Sequence, residues 1–383
     1  MEPKDYLTNR NFCPIPWTGL MYNFDGNVKT CIRSSAPIGN IREQGIEQIL
    51  NGENNQATRV NMLNNKPGER CDPCYELEQG GNKFDIISDR VFYLRELKQV
   101  PLDTYDKVDA HRLEKIDVRW TNLCNFSCVY CNADFSSQWA NELGVKIDTP
   151  NKQQRDDFKA YIFKHVDTLK HVYMAGGEPL LMKENEELLE KLLLDNPDVN
   201  LRINTNLSHT NTRVFDLACK FKNVHWTVSA ETMGDEYDYI RHGGQWATFC
   251  RNLRKIKDSD HKITFNMLYF VLNPFSVFKF VDKFMNDWNF HPNAFVIGPL
   301  LFPDYLNIRH LPDKMLQLVK QELEQRIAEH PGFLLENSYQ NLLRYIEQPI
   351  EKNLAGTFEQ LAVMDARRGV DSSKIFIDLY KEK

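Results

Sequence analysis

At 383 residues, with 42 % apolar and 26 % charged side chains, the chain is long enough for one large or two ordinary domains and too apolar to be disordered. Its 47 basic and 53 acidic residues leave a net charge of -6, which argues against a non-specific grip on nucleic acid or an anionic membrane surface. No run of about eighteen apolar residues occurs, and the opening MEPKDYLTNRN has no apolar signal-like stretch. A cytoplasmic protein is therefore expected, with its nine cysteines reduced or bound to metal rather than paired.

The first hundred residues carry four of those cysteines: Cys13, Cys31, and Cys71 with Cys74 in a C-D-P-C step. Asn23-Phe24-Asp25-Gly26-Asn27 is a hairpin signal, because Asp-Gly supplies the positive φ angles of a tight turn. The hairpin brings Cys13 toward Cys31, and short helices over Ile46–Leu50 and 55–64 return the chain to Cys71 and Cys74. So little apolar core is available here that a bound cluster is expected to supply much of the stability.

From residue 115 short β-like runs alternate with helical ones. Strands are predicted at 115–120, 171–175, 201–207, 224–230, 263–271 and 294–300. Helices are predicted between them at about 152–170, 184–195, 211–222, 245–257 and 275–289. Repeating β-then-α implies a parallel sheet with right-handed crossovers, and six strands suit an incomplete (β/α)6 barrel. Several strands alternate a polar with an apolar row: Asp117 and Arg119 oppose Ile116, Val118 and Trp120; Arg202 and Asn204 oppose Leu201, Ile203 and Thr205; His225, Thr227 and Ser229 oppose Trp226, Val228 and Ala230. Helices should cover the apolar row and leave the polar one, with Asn266, for a site. Polar pairs satisfying one another in a core are the plainer alternative. Cys219 and Cys250 fall in helical runs and read as buried and inert. After about residue 303 the chain reads as helices at 312–329, 337–347 and 357–367, a capping or gating extension in which Tyr305, Arg309 and His310 are candidate lid residues.

The densest chemical signal is Cys124-x3-Cys128-x2-Cys131, placed directly after the first predicted strand. Closely spaced thiolates let one loop wrap an iron–sulfur cube, and three of them leave one iron open. Zinc is the competing metal, but a structural zinc site wants a fourth ligand, and only Asp134 lies near. Gly176-Gly177-Glu178-Pro179 follows the second strand, Asn206 ends the third and Ser229 the fourth, at the strand ends where parallel barrels gather their chemistry.

C-x3-C-x2-C followed by G-G-E-P resembles the radical S-adenosylmethionine (SAM) superfamily over roughly residues 112–300. The earlier Cys13, Cys31, Cys71 and Cys74 resemble the twitch domain, the shorter relative of the SPASM domain, here placed before the barrel instead of after it. The resemblance implies an α/β fold with three parts: a twitch-like auxiliary domain at 1–110, a partial radical SAM barrel at 111–302 and a helical C-terminal extension at 303–383. It implies a catalytic [4Fe-4S] cluster on Cys124, Cys128 and Cys131, with SAM on the open iron, and an auxiliary [4Fe-4S] cluster on the four earlier cysteines. Tyr130, Gly176, Gly177, Glu178, Asn206, Ser229 and Arg241 would contact SAM, while Asp117 and Arg119 are the candidate catalytic pair in the lumen. The implied chemistry is reductive cleavage of SAM to a 5′-deoxyadenosyl radical that abstracts hydrogen from a substrate C–H bond, fed by a flavodoxin or ferredoxin. With four thiolates the auxiliary cluster has no open iron, which favours electron relay and net oxidation or crosslinking of a peptide or protein side chain. Alternatives are the same chemistry on a sugar, aminocyclitol or nucleotide, and a metal-stabilised scaffold without turnover.

Overall fold

The computed structural model describes residues 11–66, 68–79, 88–96 and 111–381. The boundary expected near residue 110 falls in 97–110, outside the described residues. The chain packs as two compact units, one of Met1–Leu123, Val145–Asn204 and Thr210–His225, the other of Cys124–Gly144, Thr205–His209 and Trp226–Lys383.

In the first unit a short helix, Ile15–Thr18, leads into strand β1 (Gly19–Tyr22), which turns back into β2 (Asn27–Lys29) and then β3 (Gly39–Asn40). The turn forms at the predicted Asp-Gly: Gly26 has φ 85°, and Asp25 Oδ1 accepts from the Asn27 N–H at 2.9 Å. Antiparallel pairing follows, with Met21 opposite Lys29 and Tyr22 opposite Val28. The other edge of β1 pairs in parallel with β4 (Lys115–Val118), Gly19 opposite Lys115 and Tyr22 opposite Val118. Parallel pairing continues to β5 (His171–Met174) and β6 (Asn200–Thr205), giving the order β3-β2-β1-β4-β5-β6. The sequence reading anticipates the hairpin but not its junction with β4. Its cause is visible in Gly-Leu-Met-Tyr, four residues that are all buried, as in a strand covered on both faces.

Helix Lys152–Lys164 starts at a capping box, Asn151 Oδ1 accepting from the Gln154 N–H at 3.0 Å and Gln154 Oε1 from the Asn151 N–H at 2.9 Å. It buries Phe158 and Ile162, and Phe158 meets Tyr22 and Trp120 with ring centroids 4.7 and 6.0 Å away. Truncating such a core aromatic costs about 3–5 kcal/mol. Helix Lys183–Asp195 lies close to its predicted span, whereas Arg213–Ala218 covers only the middle of the predicted 211–222.

The second unit contains most of β7 (Val224–Ser229), then β8 (Lys262–Tyr269) and β9 (Phe295–Pro299), with β8 and β9 parallel and Phe265 opposite Phe295. Helices Trp246–Lys257 and Ser276–Asn286 build an aromatic core in which Phe265 stacks on Phe295 at 5.3 Å and Phe280 on Phe284 at 4.2 Å. Three longer helices follow, Asp313–Glu329, Leu334–Ile346 and Leu354–Arg368. Arg326 ties the first of them to Asp282 through two hydrogen bonds, at 2.7 and 2.8 Å.

All six predicted barrel strands form, and no pairing among the described residues joins β9 to β3, so the sheet is not closed. The predicted apolar row is buried: Ile116, Val118, Trp120, Leu201, Ile203, Thr205, Trp226, Val228 and Ala230 are each at most 1 % exposed. Among the described residues no helix is long and apolar enough to cross a membrane.

Candidate metal centres

The segment Cys124–Cys131 has no regular secondary structure, so its carbonyls need partners from elsewhere. Within the second unit they find them. Ser137 Oγ donates to the Cys124 carbonyl at 3.1 Å, Ser136 Oγ to Phe126 at 2.5 Å, Arg368 Nη2 to Ser127 at 2.8 Å, Trp139 Nε1 to Cys128 at 2.8 Å, and Tyr305 OH to Val129 at 3.4 Å. Two loop N–H groups donate outward, Ser127 to the His242 carbonyl and Val129 to that of Ile240, both at 2.9 Å. Gly243 has φ 98°, and a Cβ there would lie 2.7 Å from the Asn125 carbonyl oxygen, so glycine permits this approach. The backbone is thus fixed by groups other than the three thiols.

Beneath the loop lies a buried charge cluster. Arg241 donates through Nε to Glu231 Oε2 at 2.8 Å and through Nη2 to Oε1, and the Tyr130 hydroxyl donates to the same Oε1 at 2.9 Å. Arg241 and Glu231 are 4 % and 1 % exposed, so each charge depends on the other. Burial pushes the Cys128 thiol up, and the Arg241 guanidinium works against that rise. Cys131 is pushed up to about 12 by burial and by Cys128. Buried thiols of this kind suit a shared cation centre, which removes their protons on binding.

The predicted SAM contacts are distributed as follows. Asn206 turns toward the cysteine loop, its Nδ2 donating to Asn125 Oδ1 at 3.1 Å and its Oδ1 accepting from the Ser208 N–H at 2.9 Å. Ser229 is half-buried at the end of β7. Arg241, expected on the SAM carboxylate, pairs with Glu231, since a guanidinium this buried requires an acceptor. In the first unit the Glu178 N–H donates to the Leu123 carbonyl at 2.7 Å, and its carboxylate caps its own turn by accepting from the Leu180 N–H at 3.1 Å. A Cβ on Gly177 would lie 2.1 Å from the Leu123 carbonyl oxygen, and Leu123 immediately precedes Cys124. Asp117 and Arg119 engage each other, Nε to Oδ1 at 3.2 Å and Nη2 to Oδ2 at 3.3 Å. Burial raises the Asp117 carboxyl and Arg119 opposes that rise. On the same row Arg202 lies over the Tyr173 ring at 5.5 Å, and Asn204 keeps a buried Oδ1 without a hydrogen-bond partner among the described residues. Arg202 and Asn266, both placed on the polar row, are exposed.

The four N-terminal cysteines converge. Cys13, Cys31, Cys71 and Cys74 line one pocket with Thr30, Arg33, Ser34, Arg70, Asp89 and Arg90. Cys13 precedes the first helix, Cys31 follows β2, and Cys71 and Cys74 flank the start of helix Asp72–Gln79. Arg59 pins the first of these segments, its Nε and Nη2 donating to the Pro16 carbonyl at 3.0 and 2.8 Å, and the Tyr75 hydroxyl donates to the Asn11 carbonyl at 2.8 Å. Burial lifts the Cys13 thiol well above its ordinary range, and each of the other three adds to the rise. Cys31 reaches about 11 and Cys71 about 12 for the same reasons. Among the described residues no three Cys, His, Asp or Glu side chains converge as a single metal ion would need. Four cysteine sulfurs lining one pocket are the donor set of a polynuclear iron–sulfur group.

Sequence reasoning missed Arg368. It forks between Glu142, at 3.0 and 3.2 Å, and the Ser127 carbonyl, and stacks on Trp139 at 4.6 Å. The only local signal is a basic last turn followed by Gly369, a common helix ending. An Arg368→Met chain leaves Glu142 and the Ser127 carbonyl without this donor and is expected to lose about 3 kcal/mol. Denaturant unfolding checks this, and a loss under about 1 kcal/mol contradicts the clamp. Tyr305 reaches the loop as a lid residue would, whereas Arg309 rests on Tyr345 and His310 on Asp304 and Asn353. Cys219 is exposed at the end of its helix rather than buried, and Cys250 is half-buried.

Comparison with known proteins agrees with these two centres. Residues 118–274 match the radical SAM superfamily, and residues 13–75 match SPASM, an iron–sulfur cluster-binding domain. GTP 3′,8-cyclase of Sulfurimonas denitrificans is 24 % identical over 127 residues, 32 % of this chain and 36 % of that protein. The Aliarcobacter butzleri protein of the same name is 28 % identical over 129 residues, covering 32 % and 38 %. The chain thus matches little more than a third of the length of these curated relatives. Among solved structures, Streptococcus suis SuiB bound to S-adenosylmethionine aligns over 72 % of this chain and 63 % of its own, at 13 % identity and a TM-score of 0.43. Native anSMEcpe with bound AdoMet aligns over 56 % and 60 %, at 18 % identity and a TM-score of 0.42.

Proposed function

We propose, for a chain that belongs to the radical SAM superfamily and carries an iron–sulfur cluster-binding domain, a net oxidation of a peptide or protein side chain at an unactivated C–H bond. When bound, the [4Fe-4S] cluster and SAM supply a 5′-deoxyadenosyl radical able to remove that hydrogen. Cys124, Cys128 and Cys131 would hold this cluster, and Cys13, Cys31, Cys71 and Cys74 the auxiliary one. Everything else falls to the protein. The bonded loop carbonyls keep the three sulfurs in register, and Gly177 lets a neighbouring backbone come within reach of SAM. Tyr130, Glu178, Asn206 and Ser229 are the groups assigned to SAM, while Arg241 acts through Glu231 by holding the loop from beneath. Asp117 and Arg119, already paired, orient the substrate and balance its charge. A flavodoxin or ferredoxin would deliver the electron.

The observation that carries the oxidative reading is the four-thiol pocket. Cys13, Cys31, Cys71 and Cys74 would supply all four protein ligands of an auxiliary cluster, leaving it no vacancy for substrate and suiting it to take up the second electron of an oxidation, with the proton going to solvent. A second reading, a nucleotide or other small anion as substrate, is favoured by Arg119, Arg202 and the free acceptor on Asn204, and by the name GTP 3′,8-cyclase borne by the curated relatives. The test is anaerobic incubation of iron-reconstituted protein with SAM and dithionite, followed by addition of peptide pools or nucleotides. Deoxyadenosine equal to a product lighter by a pair of hydrogens supports oxidation. A product at the oxidation level of its substrate overturns it. Enhancement by GTP but by no peptide selects the second reading.

A further inference from the structure

The joint between the four-cysteine pocket and the polar row of β4 has a structure that neither centre explains. Lys115 opens β4, with Asp117 and Arg119 following on the same face at the two-residue period. Its register partner is Gly19 on β1, and a Cβ on Gly19 would lie 2.6 Å from the Thr30 carbonyl oxygen, one residue before Cys31. On its other side the Lys115 ammonium lies 4.2 Å from the centre of the Tyr93 ring. Tyr93 in turn packs against the small core that Cys13 belongs to and that Cys31 and Cys71 also touch. Lys115 and Tyr93 therefore link the polar row of β4 to the core that the thiols share.

The three cations that line the pocket have local partners. Arg33 pairs with Asp89 at 2.8 Å, Arg90 pairs with Glu78, and Arg70 donates to Asn54 Oδ1 at 2.9 Å. Among the described residues Lys115 makes no ion pair with a carboxylate; it rests on the ring. Burial works against its charge, but Tyr93, Asp89 and Cys31 outweigh burial, so the ammonium is retained. A cation fixed beside a site of high negative charge stabilises the state that carries the most of it. An iron–sulfur group on four thiolates is an anion that becomes more negative on reduction.

We infer that Lys115, seated on Tyr93, is the residue that raises the reduction potential of the auxiliary cluster and so makes it an acceptor for electrons arriving from the polar row. Lys115 is a positioning charge and touches no reacting atom. The inference rests on the reading of the four-cysteine pocket given above.

The test is an anaerobic potential titration of the full chain followed by paramagnetic resonance. A background in which Cys124, Cys128 and Cys131 are all alanine ensures that only the auxiliary cluster reports. Lys115→Met and Lys115→Gln are expected to lower the reduced-to-oxidised ratio at a fixed potential by at least about tenfold, which is ~59 mV for one electron. Lys115→Arg should restore it. Tyr93→Leu keeps the charge but loosens its seat, and should fall between. A merely structural role would lower thermal stability and leave the titration where it was, so unmoved Met and Gln curves overturn the assignment. If the background chain holds no iron at all, the reading of the pocket falls and takes this inference with it, whereas an intact cluster with an unmoved potential sinks Lys115 alone.

Discussion

A Cys128→Ala chain is expected to form no detectable 5′-deoxyadenosine under any reductant, and to hold about four irons where the parent holds about eight. Cys128 is the informative choice because its side chain is buried while its backbone is held from outside. Trp139 binds its carbonyl, and its neighbours Ser127 and Val129 are tied to His242 and Ile240. Removing the sulfur therefore leaves the loop in place and subtracts one ligand. The auxiliary pocket lies in the other compact unit with its own four thiols, so its iron should survive. Iron and sulfide analysis with a deoxyadenosine assay checks both halves. A variant that still cleaves SAM, or that loses all of its iron, contradicts the division into two centres.

Gly177→Ala is the second large effect. The added methyl would sit 2.1 Å from the Leu123 carbonyl oxygen and 2.9 Å from the Asn122 carbonyl carbon, and both are backbone that no rotamer change can clear. Relief requires the 122–124 segment to move, breaking the 2.7 Å bond from the Glu178 N–H to Leu123 and shifting the covalent anchor of Cys124. Overpacking of this kind costs about 1–3 kcal/mol in stability. Reactivity should suffer more, because a displacement near one ångström in a radical site lowers the rate by about a hundredfold. Gly298→Ala is the control, since a Cβ there meets nothing within 4 Å. Deoxyadenosine formation within a few-fold of the parent in Gly177→Ala, with iron content unchanged, would show that this approach is not needed.

The parallel strands were legible because their apolar rows repeat every second residue and their helices cover one stripe. Ile116, Val118, Leu201 and Ile203 announce a buried face before any coordinate is known. Cys124, Cys128 and Cys131 were legible for a different reason: a short spacing of thiols has few other uses. What stayed hidden depends on long-range contact. Gly19–Tyr22 is too short and too evenly buried to show a period, so its parallel edge went unseen. Glu231 and Arg241 are ten residues apart with a helix intervening, and nothing local says that they close on each other. Lys115 and Arg368 carry no sequence signal of their role, since a sequence does not display the ring or carbonyl that each one meets.

Arg368 has a bearing on how the protein is made. Its fork onto Ser127 and Glu142 comes from a helix some 240 positions downstream of the loop it fastens. During synthesis the three thiols leave the ribosome long before that fastening exists, while Cys13, Cys31, Cys71 and Cys74 already have their partners in the segment emerging around them. The bonds from Arg368 to Glu142 and Ser127 can form only once that last long helix has been made, whereas every residue lining the four-cysteine pocket lies within the first ninety.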